Sequence, residues 1–147
     1  MIVINYIKLL RQSIVIRYQK GYRAEREMVH TLSDKGYMVL RAPRSGRIGL
    51  DSPDVVAVKK HDEKNDVLAI ECKFRKKAFK VEEGQLSELK QWEIKAGARC
   101  FVAWKQAYKG WTFFNIKDVL ENNGNIGKRF AKKKGIDMEM ALNGRMG

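Results

Sequence analysis

The chain has 147 residues, 44% of them hydrophobic and 32% charged, with 30 Lys and Arg against 17 Asp and Glu for a net charge of +13. These proportions exclude a disordered chain and suit one domain with its own core. The basic excess favours a polyanionic partner, nucleic acid first, with a solubilising surface as the plainer alternative.

Residues 1–19 alternate apolar stretches with Lys8, Arg11 and Arg17 and contain no acid. The apolar run from Ile2 to Leu10 is too short for a membrane span, and no small-residue cleavage site follows it. The expectation is a basic extension, either a helix or a partly ordered arm, on a cytoplasmic protein whose folded domain occupies residues 20–122. From Gly21 to Lys35, Ala24, Met28 and Leu32 recur every fourth residue and Gly36 follows as a stop, the pattern of an amphipathic helix. Glu25 sits beside that apolar stripe. A carboxylate there needs an Arg partner on the helix surface or a metal.

Residues 37–42 read as a strand. The stretch 43–53 is bounded by Pro43 and Pro53 and carries Gly46 and Gly49, the composition of a loop. Its Arg44, Ser45 and Arg47 are capable phosphate donors, unless the segment is an ordinary exposed connection. Asp54-Val55-Val56 and Ala69-Ile70-Glu71-Cys72-Lys73 read as two antiparallel strands joined by the polar turn at residues 61–66. Asp54 opens the first strand. Glu71 and Lys73 are two residues apart on the second and so share a face. Charges in otherwise apolar strands are paired or hold a metal. Two carboxylates with an ammonium beside them suit a hard cation such as Mg2+ and a positioned water, or else a structural ion pair.

Residues 73–80 contain Lys73, Arg75, Lys76, Lys77 and Lys80 with two aromatics and no acid. This fits a nucleic-acid backbone, and it also fits an edge strand protected by lysines. A helix is predicted over 82–96, with Leu86, Leu89 and Trp92 as its apolar stripe and Gly97 as its stop. Strands are predicted over 100–104 and 111–116, with a turn at 107–110 and a short helical turn at 118–121. Trp92, Trp104, Trp111 and Phe113 exceed what one small core needs, so some of them suit a subunit interface, with core burial as the alternative. From Asn122 onward Asn, Gly and Lys dominate. Residues 123–147 are expected to form a weakly ordered basic tail, with one helical turn over 137–142. Cys72 and Cys100 fall in apolar runs and read as buried thiols. With only His30 and His61 besides, no zinc-ligand spacing exists. No Gly-rich loop followed by Lys-Ser/Thr is present, so no nucleotide cofactor is expected.

Pro53-Asp54 with Glu71-Cys72-Lys73 resembles the PD-(D/E)xK nuclease signature. Further stretches match in order: Gly21-x-x-Ala24-Glu25-Arg26-Glu27, then Gly36-Tyr37-x-Val39-x-Arg41-Ala42-Pro43-x-Ser45-Gly46, then Pro53-Asp54-Val55-Val56-Ala57, then Ile70-Glu71-Cys72-Lys73. Together they make residues 20–116 similar to the archaeal Holliday-junction resolvases of the Hjc/Hje type. Arg47 departs from the small polar residue often found there, and the basic ends lie outside the shared pattern.

That resemblance implies one α/β domain, restriction-endonuclease-like, with a mixed sheet of about five strands flanked by helices. It implies cleavage of four-way DNA junctions with Mg2+, for which Mn2+ substitutes; two nicks from one site per chain then lead to the expectation of a two-fold homodimer. Asp54 and Glu71 are then the main metal ligands, Glu25 reaches the metal directly or through water, Lys73 positions the attacking water and Ser45 contacts the scissile phosphate region. The competing readings are another endonuclease of the same superfamily, of repair or restriction type, and a non-catalytic DNA-binding protein of the same fold.

Overall fold

A computed structural model describes residues 2–42 and 52–144. Helix α1 spans Ile2–Asp34 and is followed by strands β1 (Met38–Arg41), β2 (Val55–Lys59) and β3 (Asp66–Phe74). Then come β4 (Phe79–Lys80), α2 (Glu83–Ala96), β5 (Arg99–Lys105), β6 (Trp111–Asn115) and α3 (Ile116–Glu121). The chain closes with β7 (Asn125–Ile126), α4 (Lys128–Lys134) and α5 (Met138–Asn143).

The sheet is mixed, with strand order β1-β2-β3-β5-β6. β1 to β3 form an antiparallel meander, β3 and β5 run parallel, and β5 and β6 are antiparallel. The one parallel pair is connected through α2, as a parallel crossover requires. Side-chain alternation along the strands decides which helices cover which face. Leu68, Ile70, Phe101, Ala103, Trp111 and Phe113 point to one side, where Met28 and Leu32 of α1 and Ala141 and Leu142 of α5 pack on them. Ala69, Cys100, Val102, Trp104 and Phe114 point to the other, against Leu86 and Leu89 of α2 and Ile116 and Val119 of α3. The expected α/β domain with a five-stranded mixed sheet is therefore the observed one. Among the described residues no helix is long and apolar enough to cross a membrane.

Three expectations change. The helix predicted to begin at Gly21 runs without a break from Ile2, about 50 Å in all. Its last three turns are fixed by the core, while Ile2 to Ile16 are exposed throughout. The supposed tail is part of the fold. β7 pairs with β4, the Ile136 backbone exchanges two hydrogen bonds with Phe113, and Ile126, Ala141 and Leu142 are buried. The asparagine and glycine content there makes a tight reversal instead of disorder. Asn123 and Gly124 both take positive φ, and a Cβ on Gly124 would stand 2.7 Å from the Val81 carbonyl oxygen. The aromatic residues considered for an interface are occupied within the chain: Trp104, Trp111 and Phe113 are buried and Trp92 is half-buried.

A second anchor for the C-terminus lies at the far end of β5. Arg99 donates from Nε and Nη2 to the Asp66 carboxylate at 2.9 and 2.8 Å, and Asp66 also accepts from the Tyr37 hydroxyl at 2.6 Å. The same guanidinium donates to the carbonyls of Ala141 and Leu142, the last turn of α5. Burial pushes the Asp66 carboxyl up, but the Arg99 and Tyr37 hydrogen bonds outweigh it and hold the group below its usual 3.8.

Candidate active site

The site forms where two paired strands part. β2 pairs with β3 from Lys59 opposite Asp66 to Val55 opposite Ile70, and there β2 stops. β3 continues for four residues, paired only with β5 on its other edge. The Cys72 amide, which has lost its ladder partner, donates instead to Asp54 Oδ2 at 2.7 Å. The bend at Asp54 thus turns its side chain onto β3 at Glu71–Cys72, while its own carbonyl accepts from the Ala42 amide at 3.0 Å.

Glu71 and Lys73, two residues apart, share the face covered by α2, as strand periodicity requires. Lys73 Nζ lies 3.5 Å from Glu71 Oε1 and donates to Gln85 Oε1 at 2.9 Å. The Gln85 amide nitrogen in turn donates to Glu71 Oε1 at 3.1 Å. Gln85 is in the first turn of α2, so that helix fixes both the acid and the base. Sequence reasoning did not single it out, because a glutamine at a helix start looks like a solvated residue. Only the crossover that lays α2 on β3 brings it to the site.

Glu25 enters from α1. Its Oε2 receives hydrogen bonds from Arg41 Nε at 2.9 Å and Nη2 at 2.7 Å, and the Arg41 guanidinium also stacks 4.2 Å from the centre of the Tyr22 ring. The alternative considered for Glu25, an Arg partner, is therefore realised, but from β1 and not from the helix's own surface. Glu25 still acts on the pair, since its charge is one of the influences that raise the Asp54 carboxyl.

Both Asp54 and Glu71 lie above the ordinary carboxylate range. For Asp54 burial is the main cause, opposed by the Cys72 amide and reinforced by Glu25. Glu71 is pushed up to about 8 by burial and by the neighbouring Asp54 charge, against the pull of Lys73. The Cys72 thiol beside them is driven well above its usual value by burial and by the same acids, so it is a poor nucleophile. Among the described residues no three His, Cys, Asp or Glu side chains gather closely enough to hold a metal by themselves. Asp54 and Glu71 are the paired acids of the site, and Glu25 is hydrogen-bonded to Arg41.

A cleft of about 860 Å³ opens beside Glu25 and Cys72, with Ser13 and Lys20 of α1 on one wall and Arg75, Lys76 and Lys77 on the other. Those three cations are exposed on the loop after β3. Its backbone is pinned from below: the Trp104 indole donates to the Arg75 carbonyl at 2.9 Å, and Gln106 donates to the Lys76 carbonyl at 3.3 Å. Lys80 is exposed on β4 and faces a different cleft. Lys73, expected both at the acidic site and as a DNA contact, lies beside Glu71 with its side chain 12% exposed. Arg44, Ser45 and Arg47 lie outside the described residues.

Comparison with known proteins bears on this arrangement. Residues 16–146 match a family model described as archaeal Holliday junction resolvase (hjc). The chain is 37% identical over 91 residues to a crossover junction endodeoxyribonuclease Hjc of Sulfolobus acidocaldarius, a match that covers 60% of this chain and 61% of that one. It is 34% identical over 89 residues to the protein of the same name from Sulfurisphaera tokodaii, covering 58% and 59%. The matched region thus spans about three fifths of the length of these curated relatives. The structure is also similar to that of Archaeoglobus fulgidus Hjc, a Holliday junction resolvase from an archaeal hyperthermophile. That match has a TM-score of 0.71 at 26% identity over 83% of this chain and 98% of the other.

Proposed function

The chain belongs to the archaeal Holliday junction resolvase (Hjc) family, and from that premise we propose that it is a structure-selective endonuclease that resolves four-way DNA junctions by paired, metal-dependent phosphodiester hydrolysis. The observation that carries this reading is the notch at the end of β2, where Asp54 turns onto the Cys72 amide of β3 and Lys73 lies 3.5 Å from Glu71.

A buried carboxylate beside a second one that raises it, as Asp54 raises Glu71, is unfavourable unless a proton or a cation lies with the pair. Asp54 and Glu71 therefore fit a divalent ion of the Mg2+ class, or Mn2+ in its place, which takes one or two carboxylates and completes its shell with water and phosphate oxygens. When bound, such an ion supplies Lewis-acid stabilisation at the phosphate and an acidified water. The protein's own groups do the remaining work. The Cys72 amide fixes Asp54, and Gln85 fixes Glu71 and Lys73 together. Lys73 has three donor hydrogens. With Gln85 and Glu71 as two of its partners, it can aim the third at the attacking water or at a phosphate oxygen. Glu25, hydrogen-bonded to Arg41, would reach the metal directly or through water. Arg75, Lys76 and Lys77 contact backbone phosphates, which carry no base information and so suit recognition by shape. Arg44, Ser45 and Arg47, in the segment that leads into Asp54, are assigned to the same backbone near the scissile bond.

Two nicks on strands of like polarity require two sites, and one chain has one. A two-fold homodimer provides the second by symmetry. The direct test incubates the protein with a four-way junction and a matched linear duplex, with and without Mg2+. Symmetric nicks in the junction alone, only with metal, are expected; Asp54→Asn and Glu71→Gln should bind the junction without cutting it. Cutting of linear duplex at a fixed sequence in preference to the junction would overturn the reading, as would turnover in the presence of chelator. Heterodimers of wild-type and Glu71→Gln chains should nick a cruciform plasmid without linearising it.

A further inference from the structure

We infer that α4 and Lys80 form a second nucleic-acid contact surface, which holds the sugar-phosphate backbone of a duplex arm away from the carboxylates. This rests on the junction reading above for the identity of the duplex, but the surface itself is read from its own residues.

Five of the seven residues of α4 are basic: Lys128, Arg129, Lys132, Lys133 and Lys134. At 100° per residue, Lys128, Lys132, Arg129 and Lys133 fall on one arc of the helix, and all four are exposed or half-exposed. Phe130 and Ala131 fall on the opposite arc and pack against the α2-side core, where the Phe130 ring stacks on Phe114 at 5.3 Å with 13° between the planes. Lys134, on that inner side, pairs with Asp118 at 3.6 Å. The helix is thus anchored by its apolar face, and it presents four cations in fixed positions.

Like charges one turn apart on a helix destabilise it by about 0.2–0.5 kcal/mol per pair. Lys128 with Lys132 and Arg129 with Lys133 are two such pairs. A face that served only solubility would lower that repulsion by interleaving acids. The arrangement instead suits an anion that offsets it.

Beside the helix is a cleft of about 640 Å³ bordered by Lys80, Lys128, Arg129 and Lys133, with Asn122 and Asn125 as neutral donors and no acid among its described lining residues. Ala78 belongs to the walls of both this cleft and the one beside Glu25. Arg75, Lys76 and Lys77 immediately precede it. A basic track therefore leads from the cleft beside Glu25 across the 75–78 loop to α4. Lys, Arg and Asn donors spaced over two turns of helix match a run of phosphates and offer no edge for reading bases.

The test uses the full-length triple variant Lys128→Ala, Arg129→Ala, Lys133→Ala. Affinity is measured in chelator against salt, on four-way junctions with long arms, on junctions with arms too short to reach α4, and on plain duplex. Removing three phosphate-binding cations should reduce the log–log salt slope on long arms by about 2.7, with affinity at least about 10-fold weaker at low salt. Short-armed junctions should bind within about two-fold of wild type, and cleavage at saturating long-armed junction should keep its wild-type rate. An unchanged slope on long arms, or an equal loss on short arms, overturns the inference. Should the triple variant unfold, Lys128→Gln with Lys133→Gln keeps long side chains on the helix and should reduce the same slope by about 1.8. If wild type fails to cut junctions, the proposed function falls, while the loss of plain-duplex affinity in the variant still reports on α4. If wild type cuts and the variant binds like it, only this surface falls.

Discussion

Replacing Asp66 by Asn tests whether the C-terminal helices are integral to the domain. Asp66 accepts three hydrogen bonds, two from Arg99 and one from Tyr37, and its side chain is 8% exposed while that of Arg99 is 23% exposed. Hydrogen bonds to a charged group contribute about 1.5–3 kcal/mol. Asn keeps one acceptor for Arg99, and partial exposure of the guanidinium screens the lost charge. A destabilisation of about 2–3 kcal/mol remains, roughly 6–10 °C in Tm for a chain of this size. The carboxyl is held below 3.8 in the folded state, so the ionic contribution is fully present above the unfolded value and is lost as pH falls through the folded one. The gap between wild type and variant should therefore be constant near neutral pH and shrink in acid, over the range in which wild type stays folded. Urea unfolding at several pH values measures it. A double-mutant cycle with Arg99→Met should give a coupling above about 1 kcal/mol, and amide exchange in α5 should accelerate. A loss under about 0.5 kcal/mol at pH 7, or one that persists undiminished in acid, would refute the clamp.

The acidic pair has its own pH signature. A carboxyl raised in the folded state binds its proton more tightly there than in the unfolded chain, so metal-free protein should lose stability as pH rises from 4.5 towards about 8. Glu71→Gln should flatten that slope in thermal scans with chelator. Gln85→Leu removes both of its bonds at the site, and single-turnover nicking should fall about 10- to 100-fold while junction affinity stays within about two-fold. Ending the chain at Asn122 strips Ile126, Ala141 and Leu142 from the two core clusters and should cost on the order of 5 kcal/mol or more, enough to leave the product unfolded by circular dichroism. Removing residues 2–13, all of them exposed, should shift stability by less than about 1 kcal/mol.

Local pattern in this chain settled a good deal. Apolar runs in 67–73 and 100–104 marked the central strands, fourfold spacing of Ala24, Met28 and Leu32 marked the packed part of α1, and the i, i+2 spacing of Glu71 and Lys73 placed both on one face. These are consequences of backbone period and burial alone, and they survive in any tertiary context that covers the strand. The two ends were not legible in that way. Residues 2–16 propagate the helix beyond the core, so no burial marks their boundary, and the 123–144 segment buries its few apolar groups at isolated points instead of at a regular period.

The site divides along the same line. The sequence determined that Asp54, Glu71 and Lys73 sit at the ends of two neighbouring strands. It did not determine that β2 would stop one residue short of Glu71 and so free the Cys72 amide for Asp54. Nor did it show that Arg41 of β1 would bond Glu25 of α1, or that Gln85 would tie Glu71 to Lys73. Each of those depends on groups that lie 12 to 18 residues apart in the chain and meet only when the helices are laid across the sheet. The basic run at 128–134 is the plainest case. As sequence it is indistinguishable from a solvated tail, and only the stacking of Phe130 on Phe114 turns it into a fixed row of charges, because burying one ring determines which way every other side chain of a two-turn helix must point.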